Sequence, residues 1–277
     1  MKGTSRKIKL VIFDTAGTIT DGPADLRARW PEDDGKGCKA PVLPFYEALK
    51  NHGVTCSWET IRKPMGIYKP EHMRWLLAEP GVVAQWKAAH GGKEPTEEDY
   101  NVLMDEFRSL LTRYILDEDL SKPIAGTREC IDRLRRAGFR IAFDTGYFAD
   151  DADQLNAILA DRWDIRPDAA SNGDRVPGRP TPFMIFDNMQ QIYEQDGEVF
   201  GTSQVVKIDD TATGIRSGNN AGAWTIGVYA SGSNSYDELL AAEPDFLVPD
   251  VSYVPDIVVH EIENRRKETE NGEKAEQ

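Results

Sequence analysis

The chain has 277 residues and a net charge of −14, with 47 acidic against 33 basic side chains. This length suits one large domain or two ordinary ones, and 40% hydrophobic and 29% charged residues are typical of a soluble globular protein. The negative charge argues against nucleic acid or an anionic membrane as a partner, so we expect neither.

The cysteines and the apolar runs indicate a cytoplasmic protein. Cys38, Cys56 and Cys130 lack the spacing of a metal site and cannot all pair, which favours a reducing compartment. No apolar run reaches the roughly 18 residues of a membrane span, and the N-terminus lacks an apolar signal core. We therefore expect no membrane segment.

The first predicted element is an apolar run over residues 10–13 that ends in Asp14. A short apolar run closed by a turn is typical of a buried parallel strand, and the tip of such a strand carries the chemistry of open α/β sheets. The pattern D-x-x-G-T over residues 14–18 resembles the nucleophile motif of the haloacid dehalogenase (HAD) superfamily. Alone, so short a pattern also arises by chance.

Ala16 stands where phosphatases of that superfamily carry a second Asp, the general acid that protonates the leaving oxygen. A methyl group gives no proton, so either the protein is inactive or its leaving group needs none. A carbon leaving group meets that condition if another group takes up the electrons. Ala16 therefore predicts an electron sink elsewhere in the chain.

Residues 41–122 are predicted to be mostly helical, after a loop over residues 20–40. Ser57 is a candidate N-cap, and Thr96 starts a long helix. That helix has an apolar stripe at helical spacing, which predicts a bundle core, formed by Tyr100, Leu103, Met104, Phe107, Leu110, Leu111 and Tyr114.

Lys69 precedes Pro70, which is predicted to be the first residue of a helix. The positive end of the helix dipole disfavours an ammonium group and favours the neutral amine. A neutral amine forms a Schiff base with a carbonyl, and an imine is an electron sink. On spacing alone, a solvated lysine at a helix start is the commoner interpretation.

From residue 126 to 229 the pattern is one of α/β alternation. Predicted helices cover 126–137, 150–163, 182–193 and 214–222, predicted strands cover 139–143, 205–211 and 223–229, and a loop connects 163 to 182. A helix over 235–242, a strand over 245–248 and a closing segment over 255–266 follow.

Polar groups follow the predicted strands and precede one helix. Thr145 and Gly146 offer a hydroxyl and backbone N–H groups that suit phosphoryl oxygens, although such residues also form ordinary turns. Arg179 precedes a helix start, where a guanidinium pairs with anionic oxygens, although an exposed loop arginine fits equally. Asp209 and Asp210 would repel Asp14 unless a cation lay between them, which indicates Mg²⁺.

Two further stretches resemble the phosphonoacetaldehyde hydrolase (phosphonatase) family of the HAD superfamily. They are Gly37-Cys38-Lys39-Ala40-Pro41 and Pro64-Met65-Gly66 followed by Lys69 and His72. That family also has Ala two residues after the nucleophile, and the resemblance runs from about residue 8 to about 230. It implies an α/β fold, with a HAD-like Rossmannoid parallel-sheet core over 1–22 and 123–265 and an inserted α-helical cap over 23–122. Residues 266–277 are expected to be a disordered tail.

The resemblance implies hydrolysis of the C–P bond of phosphonoacetaldehyde, a small-molecule phosphonate, to acetaldehyde and phosphate. Asp14 would be the nucleophile and Lys69 the imine-forming lysine. The implied sites are catalytic Asp14, Lys69, Thr145, Arg179 and His72, substrate-binding Ala16, Cys38, Met65, Gly146 and Tyr147, and Mg²⁺-binding Asp14, Ala16, Asp210 and Asp209. A homodimer through the cap, common in the family, stays open.

The chain departs from the family at Thr15, where Trp is frequent, and at Gly214, where some members carry a further acid. Asp209 or a water would take the place of that acid. The loop between Asp14 and Cys38 is also longer than is typical. These departures leave three alternatives: a hydrolase of a related carbonyl phosphonate, a HAD phosphatase acting on phosphate esters, and a non-catalytic binding protein.

Overall fold

The structure is a computed structural model, and it describes residues 7–21, 28–31, 33, 35, 37–117, 120–230 and 232–262. Its strands are β1 (Leu10–Asp14), β2 (Arg140–Thr145), β3 (Ala169–Asn172), β4 (Val205–Asp209), β5 (Trp224–Val228) and β6 (Phe246–Val248). They form one parallel sheet in the order β3-β2-β1-β4-β5-β6. The predicted parallel α/β core is confirmed.

Among the described residues between β1 and β2 there are five helices: α1 (Val42–Asn51), α2 (Trp58–Arg62), α3 (Lys69–Ala78), α4 (Pro80–Ala89) and α5 (Glu97–Leu116). We call α1–α5 the cap helices. The later helices are α6 (Thr127–Arg136), α7 (Ala149–Trp163), α8 (Phe183–Asp196), α9 (Ala212–Ala221) and α10 (Tyr236–Leu240). Helical turns Val251–Tyr253, Val254–Asp256 and Ile257–Ile262 end the described chain. No helix among the described residues is both long and apolar enough to cross a membrane.

The cap helices have their own apolar interior. The side chain of Thr96 caps α5 through a reciprocal pair of bonds with Asp99, which satisfies backbone donors that the first turn leaves open. Every residue of the predicted α5 stripe is buried. Phe45 of α1 stacks on Phe107 of α5 with ring centroids 4.2 Å apart, so these two helices share one core.

The chain leaves and re-enters the sheet layer at adjacent points. The backbone N–H of Asp21 donates to the carbonyl of Lys122 at 3.1 Å, and that of Ile124 donates to Ile19 at 2.8 Å. These bonds join the two connections of the cap helices side by side. The predicted domain boundaries stay a prediction, and the 266–277 tail and parts of the 20–40 loop lie outside the described residues.

Two local predictions are wrong. The loop predicted between residues 163 and 182 contains β3, whose small residues Ala169 and Ala170 lack the β-branched pattern that marks a strand. Helix α3 begins at Lys69, so Pro70 is its second residue rather than its first. Both positions are compatible with proline, because the first-turn N–H groups have no partner within the helix.

Candidate active site

A small cavity lies at the carboxyl ends of β1 and β2, under the cap segment that precedes α3. Its volume is about 20 Å³, enough for about one water molecule. Pro41, Gly66 and Thr211 line the cavity. Most of the predicted site residues also line it, namely Asp14, Ala16, Met65, Lys69, Thr145, Gly146, Tyr147 and Arg179.

Close backbone contacts bring the cap to this edge of the sheet. The backbone N–H of Lys69 donates to the carbonyl of Gly146 at 3.3 Å. A Cβ atom at residue 146 would lie only 2.6 Å from the carbonyl oxygen of Ile67, so glycine permits this approach. The hydroxyl of Thr213 donates to the carbonyl of Met65 at 3.1 Å. The segment over 65–69 is therefore held against both β2 and the start of α9.

The Lys69 amine is buried among weakly polar groups. The side chain is only 3% exposed, and its Nζ atom lies 3.6 Å from the sulfur of Met65 and 5.5 Å from the ring centroid of Tyr147. Burial lowers the pKa of Lys69 to about 8; the charge of Arg179 adds to this and that of Asp14 opposes it. A substantial fraction of the amine is thus neutral at mildly alkaline pH.

Asp14 ends β1 and lies beside Asp144 in the register of β1 and β2. Burial raises the pKa of Asp14 to about 6, against the lowering effect of the Arg179 guanidinium. The Nη2 atom of Arg179 lies 2.6 Å from a carboxylate oxygen of Asp14. Asp14 is therefore mainly ionised at neutral pH and is paired with a cation.

Arg179 lies at the centre of a buried group of acids. Its Nη2 atom also donates to the carboxylate and, at 2.9 Å, to the carbonyl oxygen of Asp144, and its Nη1 atom lies 3.4 Å from Asp209. Although burial opposes it, the charges of Asp14, Asp144 and Asp209 raise the pKa of Arg179 well above its ordinary value. The buried Nε–H has no hydrogen-bond partner among the described residues, so it is a donor that suits an anionic ligand.

Sequence reasoning missed Asp144 and Lys207. The Nζ atom of Lys207 lies 2.6 Å from Asp144 and 2.8 Å from Asp209, and all three side chains are fully buried. No motif marks the lysine within the apolar run of β4. A charged residue in a fully buried strand is itself unusual, and this was the signal available in the sequence.

The acids after β4 have different surroundings. Asp210 accepts hydrogen bonds from the backbone of Ser233 at 2.6 Å and the hydroxyl of Thr18 at 3.1 Å. Burial and the nearby charges of Asp14 and Asp209 raise the pKa of Asp210 well above its usual range. Burial also tends to raise the pKa of Asp209, but the charges of Arg179 and Lys207 outweigh this effect and lower the pKa.

The carboxylates fit a hard divalent cation such as Mg²⁺. Asp14 and Asp210 are buried acids with raised pKa values, so a nearby cation would stabilise their charged forms. Among the described residues, carboxylate oxygens of Asp14, Asp144 and Asp209 also come within 4.8 Å of one another. The acids that come together in this group are thus Asp14, Asp144 and Asp209, and the predicted ligand Asp210 does not belong to it.

Asp209 fills the space beside Gly214. A Cβ atom at residue 214 would lie 1.9 Å from the carboxyl carbon of Asp209, so no side chain fits there while Asp209 keeps this position. The Asp209 carboxylate also accepts hydrogen bonds from the backbone and hydroxyl of Thr211 at 2.9 and 2.7 Å. The carboxylate from β4 therefore occupies the space that a side chain at this position of α9 would need.

His72 and Cys38 are buried close to the cavity but do not line it. The Nε2 atom of His72 lies 2.8 Å from the carbonyl of Ile61, and its ring stacks on Phe45 at 4.0 Å. Burial and the charge of Lys69 lower the pKa of His72 well below its ordinary value, so the imidazole is neutral. Burial raises the pKa of the Cys38 thiol, whose sulfur lies 3.8 Å from the carbonyl of Thr20.

Comparison with known proteins identifies the class of protein to which the chain belongs. The sequence profile of haloacid dehalogenase-like hydrolases matches residues 8–222. A crystal structure of a phosphonoacetaldehyde hydrolase-like protein from Oleispira antarctica is similar with a TM-score of 0.80 and 26% identity, over 95% of each chain. A β-phosphoglucomutase from Clostridium difficile shares the fold at a TM-score of 0.65 and 16% identity, over 93% of this chain and 98% of that one. The chain is therefore a HAD-like hydrolase in both sequence profile and fold.

Curated relatives show to which family of the HAD superfamily the chain belongs. A phosphonoacetaldehyde hydrolase of Bacillus cytotoxicus is 35% identical over 232 residues, which are 82% of this chain and 78% of the relative. One from Bacillus cereus is 34% identical over 228 residues, with the same coverage. The chain belongs to the phosphonoacetaldehyde hydrolase family of the HAD superfamily, and the resemblance in its sequence is confirmed.

Proposed function

We propose that the protein hydrolyses the C–P bond of phosphonoacetaldehyde, giving acetaldehyde and phosphate. The observation that carries this proposal is the buried Lys69 amine, with its pKa of about 8, in one cavity with Asp14 and Ala16. A cavity that pairs a nucleophilic acid with an amine, and has a methyl group at the general-acid position, suits a carbon leaving group. The names of the relatives support the same substrate.

In the proposed reaction the neutral Lys69 amine attacks the aldehyde carbon and water is lost, which leaves a protonated imine. Asp14 then attacks phosphorus while the C–P bond breaks, and the bonding electrons flow into the imine to give an enamine. Protonation of the enamine carbon and hydrolysis release acetaldehyde and free Lys69. Water hydrolyses the aspartyl phosphate and releases phosphate.

The surrounding residues would hold the phosphonate and manage protons. Arg179 offers its unpartnered Nε–H, and Thr145 and Gly146 line the cavity beside Asp14, so all three suit the phosphonate oxygens. Tyr147 lies near the Lys69 amine and stays protonated, because burial raises its pKa well above the ordinary value. His72 is neutral, and its buried Nδ1 atom has no hydrogen-bond partner among the described residues, so we propose that it accepts a hydrogen bond and positions groups near the imine.

Mg²⁺ is the proposed metal, held by the carboxylates of Asp14 and Asp210 and the backbone carbonyl of Ala16, with Asp209 beside them. When bound, it would neutralise charge on the phosphonate and on Asp14. Met65 and Cys38 are proposed to shape the pocket around the Lys69 amine. The raised pKa of the Cys38 thiol keeps it uncharged there.

Borohydride trapping with mass spectrometry tests the proposal. With phosphonoacetaldehyde present, reduction should attach a two-carbon adduct, or its phosphonate, to Lys69. The variant Lys69→Arg should fold and lose nearly all phosphate release, because a guanidinium stays protonated and forms no imine. Lys63→Met is the matched control, since it removes a neighbouring cap lysine outside the cavity and should keep both the adduct and the activity.

A panel of phosphate esters distinguishes the alternative function. An active Lys69→Arg enzyme, or an adduct on Lys63 instead, would remove Lys69 from the mechanism. Ester hydrolysis without any adduct, and without turnover of phosphonoacetaldehyde, would make the protein a HAD phosphatase.

A further inference from the structure

Beneath the cavity lies a buried ionic cluster of Asp14, Asp144, Asp209, Arg179 and Lys207. None of the five residues is more than 4% exposed. They come from β1, β2, β4 and the loop before α8, so the cluster ties the central strands to that loop. The proposed reaction uses Asp14 and Arg179 directly, and it leaves Asp144 and Lys207 without a role.

Arg179 is in contact with the nucleophile. Its Nη2 atom lies 2.6 Å from the Asp14 carboxylate, and a carboxylate oxygen held by a guanidinium is a poor nucleophile. A phosphonate that enters the cavity must therefore take over hydrogen bonds that Arg179 gives to Asp14. The guanidinium needs another fixed partner if it is to stay in place during this exchange.

Asp144 is that partner. Asp144 accepts hydrogen bonds from Arg179 with both its carboxylate and its carbonyl oxygen. Lys207 in turn holds the Asp144 carboxylate at 2.6 Å, and its Nζ atom also donates to the carbonyl of Ile208 at 3.3 Å. The contact between Lys207 and Asp144 thus does not involve the nucleophile, whereas the Nη2 atom of Arg179 contacts both Asp144 and Asp14. When Arg179 gives up Asp14, its bonds to Asp144 can remain.

The charges of the cluster support this arrangement. Three carboxylates face two cations, and buried charges are tolerated only when they are paired and hydrogen-bonded. Lys207 neutralises Asp144 and Asp209 from one side, while Arg179 contacts both from the other. Asp144 can therefore hold Arg179 without leaving an unpaired negative charge close to the phosphonate.

We propose that Asp144, held by Lys207, is a positioning residue that fixes Arg179 while this arginine exchanges the Asp14 carboxylate for the phosphoryl group. The inference rests on the phosphoryl-binding role of Arg179 in the proposed function. It predicts that Asp144 opposes tight binding of phosphate, because it competes for Arg179, and promotes turnover, because it orients Arg179. A purely structural residue would not affect the two quantities in opposite directions.

The test is Asp144→Asn, which keeps the shape and removes the charge. We expect kcat for phosphonoacetaldehyde to fall at least tenfold. We expect the Kd of inorganic phosphate, measured by calorimetry in the presence of Mg²⁺, to fall at least threefold. In an Arg179→Met background the same substitution should change the phosphate Kd less than twofold, since Lys207 already neutralises Asp144. Asp187→Asn, which alters a carboxylate paired with Arg175 at 2.8 Å outside the site, is the matched control and should change neither quantity.

Each other outcome overturns the inference. These outcomes are a kcat within twofold of the parent, a phosphate affinity that is unchanged or weaker, and an equal gain in affinity without Arg179. If circular dichroism shows that Asp144→Asn does not fold, the double variant with Lys207→Met keeps the cluster's net charge and should bind phosphate with the same gain. If the parent does not turn over phosphonoacetaldehyde, the proposed function fails, and the calorimetric comparison still decides the role of Asp144.

Discussion

Two features of the site complement each other chemically: Ala16 stands where HAD phosphatases carry a general acid, and the Lys69 amine is buried. The nucleophile motif around Asp14 is compatible with many phosphoryl transfers, and Ala16 removes those that need a proton at that position. Lys69 lies in the same cavity with a pKa lowered to about 8. Because the amine comes from the cap and the acid from the sheet, the chemistry depends on contact between the two.

The first prediction concerns pH. Asp14, with a pKa of about 6, is ionised above pH 7, so of the two groups proposed to react only Lys69 changes its charge at higher pH. With a pKa of about 8, the neutral amine increases from roughly a tenth at pH 7 to roughly nine tenths at pH 9. We expect kcat/KM for phosphonoacetaldehyde to rise by a similar factor between these values and then level off. Phosphate release measured from pH 6 to pH 10 checks this, and a flat profile between pH 7 and 9 would contradict it.

The second prediction concerns Asp209 and the metal. Its carboxylate occupies the space of a side chain at Gly214 and lies close enough to Asp14 to raise the pKa of that acid. We expect Asp209→Asn to weaken Mg²⁺ binding by about tenfold, the lower end of the effect of residues that support a metal site. Calorimetric titration with Mg²⁺ measures this, and an affinity equal to that of Asp187→Asn would show that Asp209 does not support the metal.

At the scale of single residues, the sequence predicted groups that follow local signals. Asp14, Thr145 and Arg179 each stand next to a turn or a helix start, and the structure brings them into one cavity. The pairing of Lys207 with Asp144 had no such signal, because the partners lie 63 positions apart in the chain. Only the register of neighbouring strands brings these two side chains together.

Among the elements, the segment over residues 65–69 connects the cap helices to the sheet edge. Its hydrogen bond to Gly146 and its contact with Thr213 place the start of α3 over β2 and α9. The periodicity of α5 and its capping residues predicted the cap interior from sequence. The docking of the cap was implied only by the family resemblance, since it depends on backbone atoms that approach across glycines.

The third prediction concerns this docking. In Gly146→Ala the added methyl carbon would lie 2.6 Å from the carbonyl oxygen of Ile67, so the segment must move away from the sheet. We expect kcat/KM to fall at least tenfold, because Lys69 moves with the segment, while far-UV circular dichroism stays unchanged. Gly201→Ala is the control, since its nearest neighbouring atom would be 4.0 Å away. Equal activity of the two variants would show that the cleft tolerates displacement of the cap.

The edge strand β3 shows where sequence patterns stop being informative about elements. Its residues Ala169 to Asn172 are small or polar, and alanine and asparagine are depleted in strands generally. Pairing with β2 and packing of α8 against the sheet make the segment a strand. Tertiary context decides its conformation, whereas β1 and β4 are recognisable from their apolar runs.

At the scale of the whole molecule, the described cap segment and sheet edge leave little room around the candidate catalytic groups. The cavity of about 20 Å³ holds about one water, and phosphonoacetaldehyde has several non-hydrogen atoms. We therefore expect the cap segment and the sheet edge to separate when substrate enters. In the proposed reaction, closure would exclude water from the imine and from the aspartyl phosphate. It would also desolvate Lys69, which favours the neutral amine.

The last prediction follows from this closure. The backbone N–H of Lys69 donates to Gly146 across the cleft, so its hydrogen exchanges with solvent only when the cap leaves the sheet. We expect peptides over residues 65–69 to exchange faster than the interior of α5 around the buried Leu103 and Phe107 in the free enzyme. Phosphate with Mg²⁺ should slow exchange of the 65–69 peptides and leave α5 unchanged, because the bound anion bridges Arg179 and the groups beside Gly146. Exchange over 65–69 that is as slow as in α5, and insensitive to phosphate, would mean that substrate reaches Lys69 without separation of cap and sheet.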